Sequence, residues 1–252
     1  MKADELCKNC VIFKKKKMAG NLYLVPNTLG SKDTDNFLPP NFKPVIAGLR
    51  YFVVENTRNS RRFLKMIDPR IDIDVITFFE LNKHTDPAIV PGFLTPLKEG
   101  HHLGMISEAG LPGIADPGAL LVSLAHREHI RVIPITGPSS MFLALMGSGF
   151  NGQQFRFSGY LPVQKNERRH AIKQLERITE EENETQIFME TPYRNNALLS
   201  DLCATCKQDT LLCVAADLTM ETEMIKTAPV SWWKKKKPDL HKRPAVFLLG
   251  KT

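Results

Sequence analysis

One segment, residues 102–122, constrains the fold of this chain more than any other. It begins with a short apolar run at Leu103–Ile106 that predicts a buried strand, and it ends with a run at 119–125 that predicts a helix. Three glycines and two prolines lie between them. A rigid loop between a strand and a helix is how an α/β protein forms a ligand-binding edge. Because Glu108 and Asp116 flank this loop, we predict that it binds a small polar ligand rather than serving only as a connection.

Strands and helices alternate through the rest of the chain. Short apolar runs predict strands at 21–25, 51–54, 75–81, 131–135, 155–158, 185–189, 211–216, 224–227 and 245–249. Helical segments are expected at 44–49, 57–67, 141–146, 166–182 and 195–204. This alternation predicts an α/β fold with mainly parallel or mixed sheets. A turn at 137–140 is the expected junction of two α/β domains, 18–137 and 138–252, with a ligand cleft between them.

The length and composition are those of a globular protein with two modest domains. The chain has 252 residues, of which 42% are hydrophobic and 24% are charged. Its apolar runs are far shorter than the roughly 18–20 residues that a membrane helix needs. The first residues also lack the pattern of a signal peptide. We therefore expect a cytoplasmic protein with no membrane association.

The formal net charge of +7 is unevenly distributed along the chain. Residues 1–17 contain six lysines against one aspartate and one glutamate, and Met18 stands just before the first predicted strand. We expect residues 1–17 to be a disordered extension or the product of an upstream misread start. The remaining charge is compatible with a nucleic-acid substrate without requiring one.

Two C-x-x-C pairs, Cys7 with Cys10 and Cys203 with Cys206, have the spacing of zinc ligands. The first pair lies in the N-terminal extension and the second lies in a predicted helical segment. No histidine stands at ligand spacing to either pair. We therefore expect these cysteines and Cys213 to be free, reduced thiols, and we expect no bound metal.

The stretch Gly147–Gly152 matches the dinucleotide-binding pattern G-x-G-x-x-G. That pattern binds a pyrophosphate when it follows a strand and opens a helix. Here it follows a predicted helix and precedes a predicted strand. It therefore predicts the end of a helix and a turn.

Several blocks of the chain, taken in order, resemble the tetrapyrrole methylase-like (class III) S-adenosylmethionine-dependent methyltransferases. The blocks are LYLVPNTLG at 22–30, VVENTRNSRRFL at 53–64, FFELNKHT at 78–85, ISEAGLPGIADPG at 106–118, VIPITGPSSMFLALMGSGF at 132–150, FSGYLP at 157–162 and FMETPYR at 188–194. They most resemble the branch that 2′-O-methylates a cytidine ribose of small-subunit ribosomal RNA. The resemblance covers nearly all of the chain after Met18.

The resemblance implies that S-adenosyl-L-methionine is the cofactor, that it binds in the cleft between the two domains, and that the protein is a homodimer. Carried over by position, the expected cofactor contacts are Pro26, Glu108, Ala109, Gly110, Pro112, Ile114, Ala115, Asp116, Ser139, Ser140, Glu190, Thr191 and Pro192. Glycines let backbone groups approach the adenine and ribose, and carboxylates suit ribose hydroxyls and a sulfonium cation. The helix start at Ser139 offers unpaired N–H groups to a carboxylate.

Methyl transfer to a ribose hydroxyl requires alignment of the acceptor and removal of a proton. The block Glu55–Arg58 resembles the acidic-Arg motif of the rRNA branch at the end of a strand. The resemblance makes Glu55 the candidate proton acceptor or acceptor-orienting group, and Arg58 a candidate for binding phosphate or holding Glu55. A helix N-cap with a local ion pair explains the same residues equally well. His84 is a weaker candidate, because a polar residue at a strand end is often only surface.

One block departs from the pattern of the rRNA branch. Where that branch has Arg-Glu-Leu-Thr-Lys, this chain has Ala-Asp-Leu-Thr-Met at 216–220, so both basic residues are missing. Lysines 234–237, after Trp232 and Trp233, form either a basic stacking surface for RNA or the solvated end of a helix. Three functions remain open: methylation of rRNA in the small ribosomal subunit, methylation of a small tetrapyrrole-like molecule, and cofactor binding without catalysis.

Overall fold

The first half of the chain folds around a five-stranded parallel sheet. A computed structural model describes residues 19–35 and 37–251, so the prediction for residues 1–17 lies outside the described residues. The strands are β1 (Leu22–Val25), β2 (Tyr51–Val54), β3 (Thr77–Glu80), β4 (Leu103–Ile106) and β5 (Val132–Pro134), in the spatial order β3-β2-β4-β1-β5. The connecting helices are α1 (Lys43–Gly48), α2 (Thr57–Ile67), α3 (Thr95–Lys98) and α4 (Ala119–Arg127), with 3-10 turns at Pro40–Phe42 and Pro87–Leu94.

Strand β4 organises this sheet. All four of its residues are buried, and it pairs in parallel with both β1 and β2. Strands that are buried on both faces appear in the sequence as short continuous apolar runs, so such strands can be predicted from the sequence. Parallel pairing also brings the carboxyl ends of the strands to one edge. At that edge β2 leads to Glu55, and β4 leads to Ser107.

The second half contains a five-stranded mixed sheet. Its strands are β6 (Phe155–Tyr160), β7 (Thr185–Met189), β8 (Leu211–Ala216), β9 (Met224–Pro229) and β10 (Ala245–Gly250), in the order β6-β7-β10-β8-β9. Strands β6 and β7 are parallel, whereas the other three pairs are antiparallel. The helices of this half are α5 (Ser140–Ser148), α6 (Lys165–Glu182), α7 (Asn195–Thr205) and α8 (Val230–Lys235). The predicted α/β class with parallel and mixed sheets is confirmed.

Helix α5 packs on the second sheet although it follows directly from the last strand of the first. Its buried residues Ala144 and Leu145 share a core cluster with Leu248, and Leu29 of the first half packs against the same cluster. We therefore propose the junction after residue 137, with domains at 18–137 and 138–252. The helix ends at Ser148, and Gly149 follows with a φ of +75°. This left-handed C-cap confirms that the G-x-G-x-x-G stretch is a helix end.

The tryptophan and lysine run does not form a stacking surface. Trp233 is fully buried in the core of the second half, and its indole N–H donates to the carbonyl of Leu212 at 3.0 Å. Trp232 is half-buried and is covered by the ammonium of Lys226, 5.4 Å from the ring centre. Lysines 234–237 are exposed at the end of α8. The run is therefore the solvated end of a helix.

The cysteines of the second half are buried thiols. Cys203, Cys206 and Cys213 are free, and burial raises the pKa of each thiol above its ordinary value. In the residues that the structure describes, no group of His, Cys, Asp or Glu side chains is arranged to hold a metal ion. The pair at Cys7 and Cys10 lies outside those residues. None of the helices in 19–35 and 37–251 combines the length and hydrophobicity that crossing a bilayer requires.

Candidate functional site

A cavity of about 350 Å³ lies between the two sheets. The first half contributes the loops that follow β2 and β4, and the second half contributes the ends of β6, β7 and β8 and the start of β10. The volume lies in the usual range for pockets that bind small molecules. The cavity is therefore a candidate ligand site that needs both halves of the chain.

The loop after β4 is braced at both ends. At its start, the side-chain amide of Asn27 donates to the carbonyls of Ser107 at 2.9 Å and Glu108 at 3.1 Å. At its end, one carboxylate oxygen of Asp116 accepts from the backbone N–H groups of Gly113 at 2.8 Å and Gly118 at 2.7 Å. These bonds hold the loop as a fixed wall of the cavity rather than a flexible lid.

Two residues of this loop have left-handed backbone conformations on the cavity wall. Gly110 has a φ of +67° and Ala115 has a φ of +59°. The conformation is easy for glycine but costs of order 1–3 kcal/mol for a residue with a side chain. Strain of this kind concentrates at functional sites, so Ala115 supports the assignment of this loop to ligand binding.

Three carboxyl groups meet where the loop approaches β2. Glu55 Oε1 accepts from the backbone N–H of Glu108 at 3.1 Å. Burial raises the pKa of Glu55, the hydrogen bond from Glu108 partly offsets this, and the charges of Asp116 and Glu108 raise it further. Burial also raises the pKa of Asp116, although two backbone N–H groups oppose the shift. A carboxyl group with a raised pKa is a better proton acceptor than an ordinary one.

The structure separates Glu55 from Arg58. The N-cap of α2 is Asn56, whose side chain accepts from the N–H of Asn59 at 3.0 Å. Arg58 is exposed and its guanidinium forms no ion pair or hydrogen bond within the described residues, so it does not hold Glu55. Asn59 instead reaches the site, because its side-chain amide donates to Glu108 Oε2 at 2.6 Å. The alternative of a helix N-cap is thus observed at Asn56, whereas the local ion pair between Glu55 and Arg58 is not.

The wall from the second half is organised around Glu190, whose side chain is almost fully buried. One of its oxygens accepts from the Arg194 guanidinium and from the N–H of Thr191, both at 2.6 Å. Burial alone would raise the pKa of Glu190, but the hydrogen bonds from Arg194 and Thr191, together with the positive charge of Arg194, hold the pKa below its ordinary value. Glu190 is therefore a charged structural support at the cavity.

Acidification is expected to remove the stabilisation that Glu190 contributes. Because the pKa of Glu190 is lower in the folded protein, the unfolded chain binds more protons at acidic pH. The stabilisation from Glu190 is therefore fully present above pH 4.5, the ordinary pKa of glutamate, and is lost as the pH falls through the lower pKa of the folded state. We expect the free energy of unfolding to fall between about pH 6 and pH 3 by less in Glu190→Gln than in the wild type. Urea denaturation at both pH values measures this difference. Equal losses in Glu190→Gln and wild type would contradict it, and Glu182→Gln at an exposed position is the control.

The start of α5 leaves hydrogen-bond donors available at the cavity. Ser139 is the N-cap residue, and its side chain makes no capping hydrogen bond. The first N–H groups of a helix have no acceptor within the helix. Ser139, Ser140 and Met141 all line the cavity. Together with the positive end of the helix dipole, they form a site suited to a carboxylate.

Most of the predicted cofactor contacts lie together. Ten of them line the cavity: Glu108, Ala109, Gly110, Ile114, Ala115, Asp116, Ser139, Ser140, Glu190 and Pro192. Three do not line it. Pro112 lines an adjacent apolar groove, Thr191 donates its backbone N–H to Glu190, and Pro26 packs so tightly on Gly137 that a Cβ there would lie 2.1 Å from the proline ring. Pro26 and Thr191 therefore support the site from behind.

Several residues that line the cavity were not predicted from the sequence. Leu29, Met141, Leu218 and Val246 form apolar walls, and Tyr160 closes one side. Most of these residues lie directly beside the quoted blocks or within them, but apolar residues in such positions are indistinguishable from core. Asn27 and Asn59 also lie within the blocks, and their polar side chains next to strand ends were the signal that was available.

A basic residue stands at the block that departs from the family pattern. The Arg243 guanidinium donates to Asp217 Oδ2 at 2.6 Å, and Thr222 donates to the same oxygen at 2.9 Å. Met220 replaces the second basic residue, and its sulfur lies against Gly30 of the first half. The basic residue at this block is thus Arg243, which lies 26 residues after Asp217 in the sequence. Met220 contacts Gly30 and so joins the two halves.

Comparison with known proteins identifies the relatives of this fold and site. The family model described as Tetrapyrrole (Corrin/Porphyrin) Methylases matches residues 53–231. The ribosomal RNA small subunit methyltransferase I of Escherichia coli O157:H7 is 30% identical over 213 residues, which cover 84% of this chain and 70% of that protein. The protein of that name from Streptococcus pyogenes serotype M6 is 32% identical over 221 residues, covering 87% and 72%. The crystal structure of the methyltransferase CobJ shares the fold, with a TM-score of 0.61, 18% identity, and coverage of 93% of this chain and 95% of that chain.

The two-sheet fold, the cavity between the sheets and these matches define a methyltransferase that uses S-adenosyl-L-methionine. The chain belongs to the tetrapyrrole (corrin/porphyrin) methylase family.

The residues of the cavity fit this cofactor. Its apolar walls suit an adenine ring, and the donors at the start of α5 suit a carboxylate. We propose that the ten predicted contacts that line the cavity hold the cofactor, with Asp116 as the candidate partner of its ribose hydroxyls.

Proposed function

We propose that this protein transfers a methyl group to a ribose hydroxyl of small-subunit ribosomal RNA. The observation that carries the proposal is the position of Glu55, a carboxyl group with a raised pKa on the wall of the cofactor cavity. Glu55 also lines a second, outward-facing cavity of about 770 Å³, where an acceptor has access to it. The two relatives described above support the proposal, since both are named for methylation of this RNA.

The residues of the site carry out two tasks in the proposed reaction. When bound, the cofactor would supply a methyl group on a sulfonium, and in-line displacement would break the carbon–sulfur bond and release a neutral thioether. Glu55 accepts the proton of the ribose hydroxyl as that oxygen forms its new bond to carbon. The backbone N–H of Glu108, together with Asn59 behind it, fixes the orientation of this carboxylate. Arg58, exposed at the first turn of α2, remains a candidate for binding RNA phosphate.

The proposal extends to the assembly and location of the protein. The family resemblance supports a homodimer, and an RNA in the small ribosomal subunit supports a cytoplasmic location. Light scattering coupled to size-exclusion chromatography measures the first property. A mass of one chain across the concentration range of the activity assay would exclude the dimer.

The test of the proposed function has two stages. Isothermal titration calorimetry with S-adenosylmethionine should give a stoichiometric binding isotherm. Transfer of labelled methyl from this cofactor should then modify small ribosomal subunits purified from cells that lack the 2′-O-methyl group. Binding without transfer to subunits or to their naked RNA would reject the rRNA proposal. Mass spectrometry of nuclease digests identifies the modified ribose.

A further inference from the structure

The outer cavity has a wall that the proposed reaction leaves unexplained. This cavity shares Glu55, Glu108, Ala115, Asp116 and Tyr160 with the cofactor cavity. Its other wall is the loop after β3, residues 82–84. An acceptor that reaches Glu55 through the outer cavity therefore meets this loop on one side and Tyr160 on the other.

Tyr160 is unusually exposed for an aromatic residue at the end of a strand. Its relative exposure is 57%, and within residues 19–35 and 37–251 its ring stacks on no other aromatic ring and its hydroxyl forms no hydrogen bond. The pairing of β6 with β7 is irregular between Phe157 and Tyr160, and Gly159 between them has a φ of +66°. An irregularity of this kind redirects the side chain that follows it. The backbone thus holds an uncovered aromatic ring at the junction of the two cavities.

The opposite wall is polar and ordered by hydrogen bonds. The backbone N–H of His84 donates to Asn82 Oδ1 at 3.0 Å, and the N–H of Asn82 donates to the hydroxyl of Thr85 at 2.9 Å. This turn exposes the side chains of Lys83 and His84. A wall that carries the ammonium of Lys83, in the same cavity as an uncovered aromatic ring, matches a nucleotide, which has a phosphate at one side and a flat base at the other.

We propose that Tyr160 is the stacking platform for the base of the acceptor nucleotide, which places its ribose beside Glu55. This inference rests on the proposed function and deepens it, because it assigns how an RNA nucleotide is held. Unstacked bases in RNA are commonly held on aromatic side chains in this way. The interaction requires an aromatic ring but not the tyrosine hydroxyl.

Three substitutions test the stacking role. In methyl transfer to under-methylated small subunits, Tyr160→Ala and Tyr160→Leu should raise the KM for the subunit by about 5- to 100-fold, the range for loss of one stacked base. Tyr160→Phe should stay within about twofold of the wild type, because the ring face remains. The dissociation constant of S-adenosylmethionine, measured by calorimetry, should be unchanged in all three. Phe155→Ala is the matched control, since Phe155 is an exposed aromatic residue on the same strand that packs on Phe142 away from both cavities.

The outcomes separate this inference from the proposed function. A wild-type protein that methylates small subunits while Tyr160→Ala has an unchanged KM would overturn the stacking role alone. If Tyr160→Ala lost affinity for S-adenosylmethionine by the same factor as it lost activity, Tyr160 would be a cofactor contact. That result would also overturn the stacking role. A wild-type protein without transfer activity on the RNA rejects the proposed function and this inference with it.

Discussion

Replacement of Glu55 by glutamine is expected to reduce the rate of methyl transfer by about 10²- to 10⁴-fold, the usual contribution of a general base. Glutamine has the same shape and keeps an oxygen that accepts from the N–H of Glu108, so the loop after β4 should remain in place. It cannot accept the proton of the ribose hydroxyl. The loss should therefore appear in kcat, while the calorimetric affinity for S-adenosylmethionine stays the same.

The pH profile provides a second measure of the same role. Because the pKa of Glu55 is raised, its carboxylate form is lost at a higher pH than for an ordinary glutamate, whose pKa is 4.5. Activity of the wild type should decrease as pH falls through this raised value, and the residual activity of Glu55→Gln should lack that decrease. Glu80→Gln is a suitable control, because Glu80 ends the neighbouring strand and accepts from Thr57 outside both cavities. Unchanged kcat in Glu55→Gln would exclude a role for Glu55 as a base.

The central strands were predictable because they are buried on both faces. Strands β2, β4, β7 and β8 and helix α2 have the bounds that the sequence predicted, since apolar runs between turn residues leave few alternatives. Strand β3 is shorter than predicted, because the chain turns at Ile73–Ile76 before pairing begins at Thr77. The order of strands in the second sheet was not predictable, because β10 inserts between β7 and β8 through contacts distant in sequence.

Charged residues in helices show a further limit of sequence patterns. Helix α6 is rich in charged residues, which usually face solvent. Arg168 is nevertheless buried, and its guanidinium donates to Asp201 on α7 at 2.5 and 3.0 Å. Such a partner, 33 residues away, leaves no local trace in the sequence. A buried charged residue can therefore be recognised only when the structure shows the oppositely charged residue that pairs with it.

The candidate site was predicted in outline through the family resemblance. Residue types and spacing alone indicated a ligand loop after β4, but they did not indicate which ligand. The resemblance supplied the second-half contacts near Glu190, which lie in a different sheet. Neither approach identified Asn59 as the residue that holds Glu108, because Arg58 next to it carried the expected charge. On the first turn of α2, the side chain of Asn59 reaches Glu108, whereas the guanidinium of Arg58 is exposed and does not.

Replacement of Gly110 by valine is expected to weaken S-adenosylmethionine binding by more than about 100-fold, equivalent to about 2.7 kcal/mol. Gly110 has a φ of +67°, and a Cβ there would lie 3.3 Å from the Leu29 side chain and 3.4 Å from the carbonyl of Pro138. Alanine adds backbone strain of about 1–2 kcal/mol and tight contacts. Valine, with two methyl groups beyond that Cβ, also adds bulk at the cavity wall. Calorimetric titration of the purified variants measures the affinities.

A substitution at Gly110 adds both backbone strain and a side chain that obstructs the cofactor site, so a control must separate the two effects. Gly149→Ala is the control for strain, since Gly149 has a φ of +75° and caps α5, and a Cβ added there would have no neighbour within 4 Å among the described residues. If strain alone mattered, Gly149→Ala and Gly110→Ala would lower the free energy of unfolding equally and leave the cofactor affinity per folded molecule unchanged. We expect instead that Gly149→Ala binds the cofactor normally, that Gly110→Ala binds it more weakly, and that Gly110→Val binds it weakest. Equal cofactor affinities in the folded fractions of all three variants would show that Gly110 does not contact the cofactor.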